Sequence, residues 1–203
     1  MNKLETANKE ALSIAVNALD AFNWDSKSAY ANWVKQTLDY SCHTVSLLSL
    51  MVARTDIRVD SDIHRSRIVH TNEEIGHDEW AKDDIAALGF SPGDFPELPE
   101  TRMLWEPQFF KCDRLSVEAV YGYTIILEQL AVERGAQIAE QVSQLADGEQ
   151  CNRFLSGHSI ADVEHVAKDL QRISAFPECC HQDVSDNMYQ TGIAYRNMLE
   201  AIK

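Results

Sequence analysis

His158, Asp162 and His165 stand at i, i+4 and i+7 in the stretch GHSIADVEHVAKD, residues 157 to 169. At about 100° per residue these offsets fall near 0°, 40° and −20° around a helix, so the three side chains leave one narrow face. Two imidazoles and a carboxylate suit a borderline divalent metal such as iron, and coordination positions left open on it admit oxygen. With 7 His and 32 acidic residues in 203, composition alone produces such a triple only about 0.04 times per chain. The competing reading is a plain surface helix, for which Ile160, Val163, Val166 and Leu170 supply the apolar side.

The stretch HTNEEIGHDEW repeats the spacing with His70, Glu74 and His77. The pair Glu74-x-x-His77 is weak evidence in so acidic a chain. Gly76 strengthens it, because a glycine inside a helix costs ~1 kcal/mol relative to alanine and therefore points to close packing or access beside His77. Glu128 lies in TIILEQLAV with apolar residues on nearly every side. An unpaired carboxylate there is costly, so it is expected to be protonated, paired or metal-bound. Glu133 competes for the role, but Arg134 and polar residues follow it. Glu74, His77, Glu128, His158, Asp162 and His165 together offer six ligands, with a carboxylate able to bridge. That set matches two iron ions, or manganese as the alternative, in a helical bundle. Tyr121, seven residues before Glu128 on the same face, is the candidate catalytic residue as pocket wall or radical relay; a packed core tyrosine is the simpler role.

The elements that must position these residues are helices. Only 8 Gly and 5 Pro punctuate 203 residues, too few for an all-β fold. Helical spacing of apolar residues predicts an all-α single domain over residues 1–203: a first helix over 3–22, a long one from Ser26 to about Arg54, and a third from about Val59 to Leu88 that closes at Gly89. The Pro-rich turn over 91–100 follows. Pro107 is expected to keep 104–112 a short apolar bridge. A fourth helix is expected from Asp113 to about Leu145, broken by DGEQCNRF, then the ligand helix from Ser156 to Ala175 and a last helix from Glu178 to Ile202.

A net charge of −14 argues against nucleic acid or anionic membrane as partners, which require a basic surface. The N-terminal residues have no signal-peptide pattern and no run approaches ~18 apolar residues, so the expectation is a soluble cytoplasmic protein. Five cysteines without CxxC spacing read as free thiols.

With these residues in view, the sequence resembles the haem-oxygenase-like di-iron oxidases and oxygenases, whose last ligand helix reads His-x3-Asp/Glu-x2-His. His158, Asp162 and His165 match that motif position by position, Glu128 occupies the place of the preceding helix's glutamate, and HTNEEIGHDEWAKDDIAALG resembles the ligand helix that carries Glu74 and His77. The resemblance implies a haem-oxygenase or TenA-like helical bundle and a non-haem, O2-dependent oxidoreductase. It further implies two Fe(II) ions, O2 and a small organic substrate as partners, an electron donor, and a homodimer as candidate assembly. Members of that family act on fatty acids and amino acids among others, by C–C cleavage, desaturation or N-oxygenation. They usually supply a further glutamate from an earlier helix or from a turn earlier on the same helix; the matching places here hold Asp39, Tyr40, His43 or His70 and no glutamate.

Three other readings compete. A ferritin-like bundle also uses Glu-x-x-His helices. A metal-free TenA-like hydrolase needs a nucleophilic cysteine, for which Cys112 and Cys151 are candidates. A metal-binding protein without turnover holds iron but consumes O2 only once. Trp105, Phe109 and Phe110 are candidates for a pocket floor, and Arg102, Arg134 and Arg172 for docking a substrate carboxylate.

Overall fold

The computed structural model describes residues 3–146 and 150–202. Ten α-helices follow one another: α1 (Lys3–Ala21), α2 (Lys27–Ser41), α3 (Thr44–Arg54), α4 (Ser61–Glu73), α5 (His77–Ala87), α6 (Pro99–Arg114), α7 (Tyr121–Leu130), α8 (Ala136–Val142), α9 (Arg153–Ala175) and α10 (Glu178–Ala201). Among the described residues there is no strand. The most extensive helix–helix packing joins α1 to α10, which run parallel, with Lys3 meeting Gln182, Glu10 meeting Tyr189 and Ala11 meeting Gly192, and α10 also packs on α6 and α7. This places Ala11, Ala15, Val184, Met188 and Met198 in a closed apolar interior. No helix is long and apolar enough to cross a membrane, among the described residues.

Each departure from the expected boundaries has a local cause. The long second helix is two, α2 and α3, because Cys42 and His43 take ψ of −16° and −9°. Those values keep the helical sense of the chain, so the apolar spacing runs through the break without a mark on it. The third helix is also two. Gly76 sits at φ 92°, a left-handed conformation that ends α4 beyond Glu74 and restarts the chain as α5 at His77. Pro107 lies inside a continuous α6. Proline there removes one backbone donor, and the buried Gln108 amide donates to Leu104 O at 2.9 Å just beside it. Asp113 belongs to the last turn of α6; α7 starts only at Tyr121, after a 3-10 turn over Glu118–Val120. The ligand helix α9 begins at Arg153, three residues earlier than expected. Of the expected breaker DGEQCNRF, residues 147–149 lie outside the described residues.

Candidate metal centre

Four segments converge on one point: the end of α4, the start of α5, the end of α7 and the middle of α9. The left-handed turn at Gly76 sets the first two. Glu74 is the cap residue of α4 and His77 the first residue of α5, so the Glu-x-x-His pair spans a bend instead of one helix face. Immediately after Glu128 and the end of α7, Ala131–Gly135 form a π turn. An extra residue per turn of this kind recurs at functional sites, and here Ala131 and Gly135 line the cavity beside Glu128.

The position of α9 is fixed by a side chain of α5. Asp84 is fully buried and accepts from the first backbone amides of α9, Arg153 N at 2.8 Å and Phe154 N at 2.9 Å. Burial pushes its carboxyl up to about 6 even though these two amides oppose the shift. Trp80 of α5 adds a second clamp. A Cβ at Gly157 would stand 2.5 Å from the Trp80 ring, so glycine is what lets the indole reach α9. That ring stacks on His77 at 4.1 Å and meets His158 edge-on at 5.5 Å.

All six residues read from the sequence as ligands lie in this convergence. His77 Nδ1 stands 3.2 Å from Glu74 Oε2, and ligand atoms of Glu74, His77 and His158 lie within 4.8 Å of one another. The same holds for Glu74, Asp162 and His165, and for His70, Glu128 and His165. Glu74 and His165 each belong to two of these groups, so the three groups adjoin one another.

His70 is the addition. Its Nε2 lies 3.5 Å from both Glu74 Oε1 and Glu128 Oε1. The sequence left open which residue stands in the place of the further glutamate, and of Asp39, His43 and His70 only His70, one turn before Glu74 on α4, joins one of these groups. Asp39 is paired with Lys35 at 2.5 Å, and His43 stacks on Trp105 at 3.7 Å. Tyr40 lines the cavity without joining a ligand group. The signal for His70 was its place at i−4 from Glu74 and i−7 from His77.

The ring nitrogens are assigned by what they face. A carbonyl only accepts, so the 2.9 Å contact of His158 Nδ1 with Phe154 O puts the proton on Nδ1 and leaves Nε2 for the cluster. His165 Nε2 lies 3.1 Å from Glu73 Oε2 and therefore donates, which turns Nδ1 inward toward Asp162 Oδ1 at 3.4 Å. Glu73 was not anticipated; it carries no sequence signal apart from being next to Glu74. Asp169 was also missed, although it continues the His158 face of α9 at i+4 from His165. It is buried, accepts from Arg172 Nη1 at 2.6 Å, and lies 3.4 Å from Thr124 Oγ1.

A cation fits this set. Three buried atoms of the cluster have no hydrogen-bond partner: Glu128 Oε2, Asp162 Oδ1 and His165 Nδ1. Such orphans are costly, and all three belong to residues that ligate divalent metals. The electrostatics agree. Burial and the neighbouring carboxylates of Asp169, Asp162 and Glu74 raise Glu128 well above the usual carboxyl range. Burial also pushes Glu74 up, but hydrogen bonds from His70 and His77 outweigh it and hold the carboxyl well below that range. The Asp162 carboxylate, 3.4 Å from His165 Nδ1, raises His165. Glu128 and His165 are thus both biased toward their protonated forms, and Glu74 toward its charged form.

The remaining sequence candidates lie outside the cavity, Arg172 alone of them standing close to the cluster, in a smaller cleft with His70, Glu73 and His165. Tyr121 does not line the cavity. As the first residue of α7 it is two turns, roughly 10 Å, from Glu128; its ring meets Phe176 at 5.1 Å and its hydroxyl accepts from Arg67 Nε at 3.2 Å. Glu133 is half exposed and faces Arg134. Trp105, Phe109 and Phe110 are absent from the lining residues, Arg102 and Arg134 pair with Glu106 and Asp20 on the surface, and Arg172 pairs with Asp169. Cys112 and Cys151 are buried away from the cavity, and burial pushes both thiols up; the cysteine at the cavity is Cys42.

Two solved structures share this architecture. A domain of unknown function with a haem oxygenase-like fold from Shewanella denitrificans OS217 superposes with a TM-score of 0.79 at 20% identity, covering 98% of this chain and 88% of that one. A CADD-like protein of unknown function from Nostoc punctiforme PCC 73102 gives a TM-score of 0.68 at 17% identity, covering 98% and 99%. These likenesses establish the haem-oxygenase-like fold and set aside a ferritin-like bundle. No curated protein matches the chain. The sequence profile of the family described as iron-containing redox enzymes matches residues 31–191, a span that includes every residue of the cluster, and the chain belongs to that haem-oxygenase-like family.

Proposed function

We propose that the protein is a non-haem di-iron oxidase or oxygenase that uses O2 on a small organic substrate held in the cavity beside the cluster. The observation that carries this reading is the sharing of Glu74 and His165 between adjoining ligand groups, with three orphaned buried ligand atoms in the same place. One ion would be held by Glu74, His77 and His158, the other by His70, Glu128, Asp162 and His165, with Glu74 as the carboxylate between them. Two Fe(II) ions bound there would supply the electrons that activate O2; Mn(II) is the alternative ion.

The chain's own residues do the positioning. Phe154 O and Glu73 fix the tautomers of His158 and His165, and Trp80 braces His77. Asp169, held by Arg172, stands behind Glu128 and disfavours its charged form until a cation offsets the repulsion. Aliphatic side chains of Leu19, Leu48, Leu127, Leu130 and Ile138 line the space in front of the cluster. Burial keeps Tyr40, Tyr123 and Tyr195 protonated, Tyr40 being pushed up to about 12, so the cavity presents hydroxyl donors.

Anaerobic titration of metal-free protein with Fe(II), followed by O2 uptake measurements, tests the reading. Two irons per chain and O2 consumption that continues with a reductant support it. Glu74→Ala should lose both irons, whereas His77→Ala should lose one. No iron uptake, or a single stoichiometric oxidation without further O2 consumption, would overturn it.

A further inference from the structure

The cavity in front of the cluster is small and its walls carry no cation. It holds about 130 Å³, slightly less than the ~150 Å³ that accommodates one benzene ring, and part of that space adjoins the ligand side chains. Away from the cluster the walls are apolar, with Leu19 from α1, Leu48 from α3, Leu127 and Leu130 from α7, and Ile138 from α8. Among the described residues that line it there is no lysine or arginine. The ionisable groups that face it are Glu74, Asp78, Glu128 and Asp162 with His70, His77 and His158, together with the thiol of Cys42 and the three phenols. A substrate carboxylate would therefore face four carboxyl groups with no lysine or arginine to oppose them, its protein donors being neutral hydroxyls and imidazoles committed to the metals, an arrangement that is costly to desolvate. An acid could find its partner only in the metals.

Resting on the di-metal reading above, we infer that the substrate is a compact, mainly apolar molecule about the size of a singly substituted benzene ring, on the order of six to eight non-hydrogen atoms. Its polar atom is directed at the cluster and the phenols. This narrows the amino-acid-like and fatty-acid-like classes: a long acyl chain exceeds the cavity, and an amino acid's carboxylate has no lysine or arginine to meet it. Ala131, on the π turn after Glu128, lines the cavity; its small side chain leaves the space the ring would fill.

Calorimetric titration of the Zn(II)-loaded chain, which cannot turn over, tests this with benzyl alcohol, hexan-1-ol, hexanoate and dodecanoate. The two alcohols should bind at one per chain, and Ala131→Phe should weaken benzyl alcohol by at least about tenfold. Each buried methylene is worth about fourfold in affinity, so a cavity that took the whole acyl chain would favour dodecanoate over hexanoate by more than about a thousandfold. The expected preference is under about tenfold. Dodecanoate binding far more tightly than hexanoate, or no binding of either alcohol, would overturn the inference whether or not the phenylalanine variant folds. Running the metal-free chain in parallel separates the two claims. Failure of Zn(II) uptake with retained alcohol binding sinks the di-metal reading alone, and full Zn(II) uptake with dodecanoate preferred sinks the size inference alone.

Discussion

Replacing Glu128 by glutamine should stabilise the metal-free protein and at the same time impair its metal site. Glu128 Oε2 has no hydrogen-bond partner, and Oε1 reaches only to His70 Nε2 at 3.5 Å. Burial, then the like charges of Asp169, Asp162 and Glu74, raise the carboxyl's pKa above its ordinary 4.5. Glutamine has nearly the shape of the protonated acid, carries no charge, and its amide can donate toward those carboxylates. The cost removed is that of one buried unsatisfied polar atom, ~1–3 kcal/mol. For a chain of 203 residues this corresponds to a Tm gain of roughly 2–10 °C. The sign of the pH dependence follows from the raised pKa. Above 4.5 the native state holds a proton on Glu128 that the unfolded chain releases. Wild-type stability from this group therefore falls as pH rises from the ordinary value to the raised one. The variant has no such loss, so its advantage should be small in acid and widen toward neutral pH. Scanning calorimetry of chelator-treated protein across that range measures it. With Zn(II) added the order should reverse, because only wild type gains the full stabilisation of two bound ions. A variant that melts below wild type at neutral pH without metal, or an advantage that does not grow with pH, would refute the reasoning.

Glu73→Ala should weaken Zn(II) or Co(II) binding by about 10- to 100-fold, because His165 Nε2 loses the 3.1 Å partner that turns Nδ1 inward. Glu73→Gln should restore most of the affinity, and imidazole 15N shifts of the metal-free protein report the tautomer directly. Gly76→Ala forces a side chain into φ 92°, at a cost of ~1–2 kcal/mol. Nothing lies within 4 Å of the added Cβ, so the fold should persist with a lower Tm, visible by circular dichroism. Tyr121→Phe leaves the buried Arg67 guanidinium without one acceptor. It should lower stability by ~1.5–3 kcal/mol in urea unfolding while leaving the number of irons bound unchanged.

Much of the site is legible along the chain because helices impose a period. His158, Asp162 and His165 had to share a face once α9 formed, and the apolar surroundings of Glu128 already marked it as a buried carboxylate in need of a partner. The same period hid the interruptions. At Cys42 and His43 the backbone turns with near-helical angles, so the apolar pattern gives no warning of a break. Gly76 was conspicuous, but as a glycine inside a helix that signals close packing or access beside His77; φ 92° and the open space around it make it a left-handed turn between two helices instead. Tyr121 shows the converse limit. Sharing a helix face with Glu128 is an angular statement, and the rise along the axis carried the ring to Arg67 and Phe176 instead.

What the sequence determines by itself is the all-helical class, the acidic surface, the residue types of a metal centre and the helices that bear them, all properties of local spacing and composition. What only the tertiary structure decides is how those helices meet. The bend at Gly76, the Asp84 cap on α9 and the fit of Trp80 over Gly157 bring His70 into the cluster. They place Glu74 and His165 each in two of the groups able to hold a metal and leave the cavity, among the described residues that line it, without a lysine or arginine. Those outcomes depend on distances between residues up to about a hundred positions apart, where helical periodicity carries no information and packing alone sets the geometry.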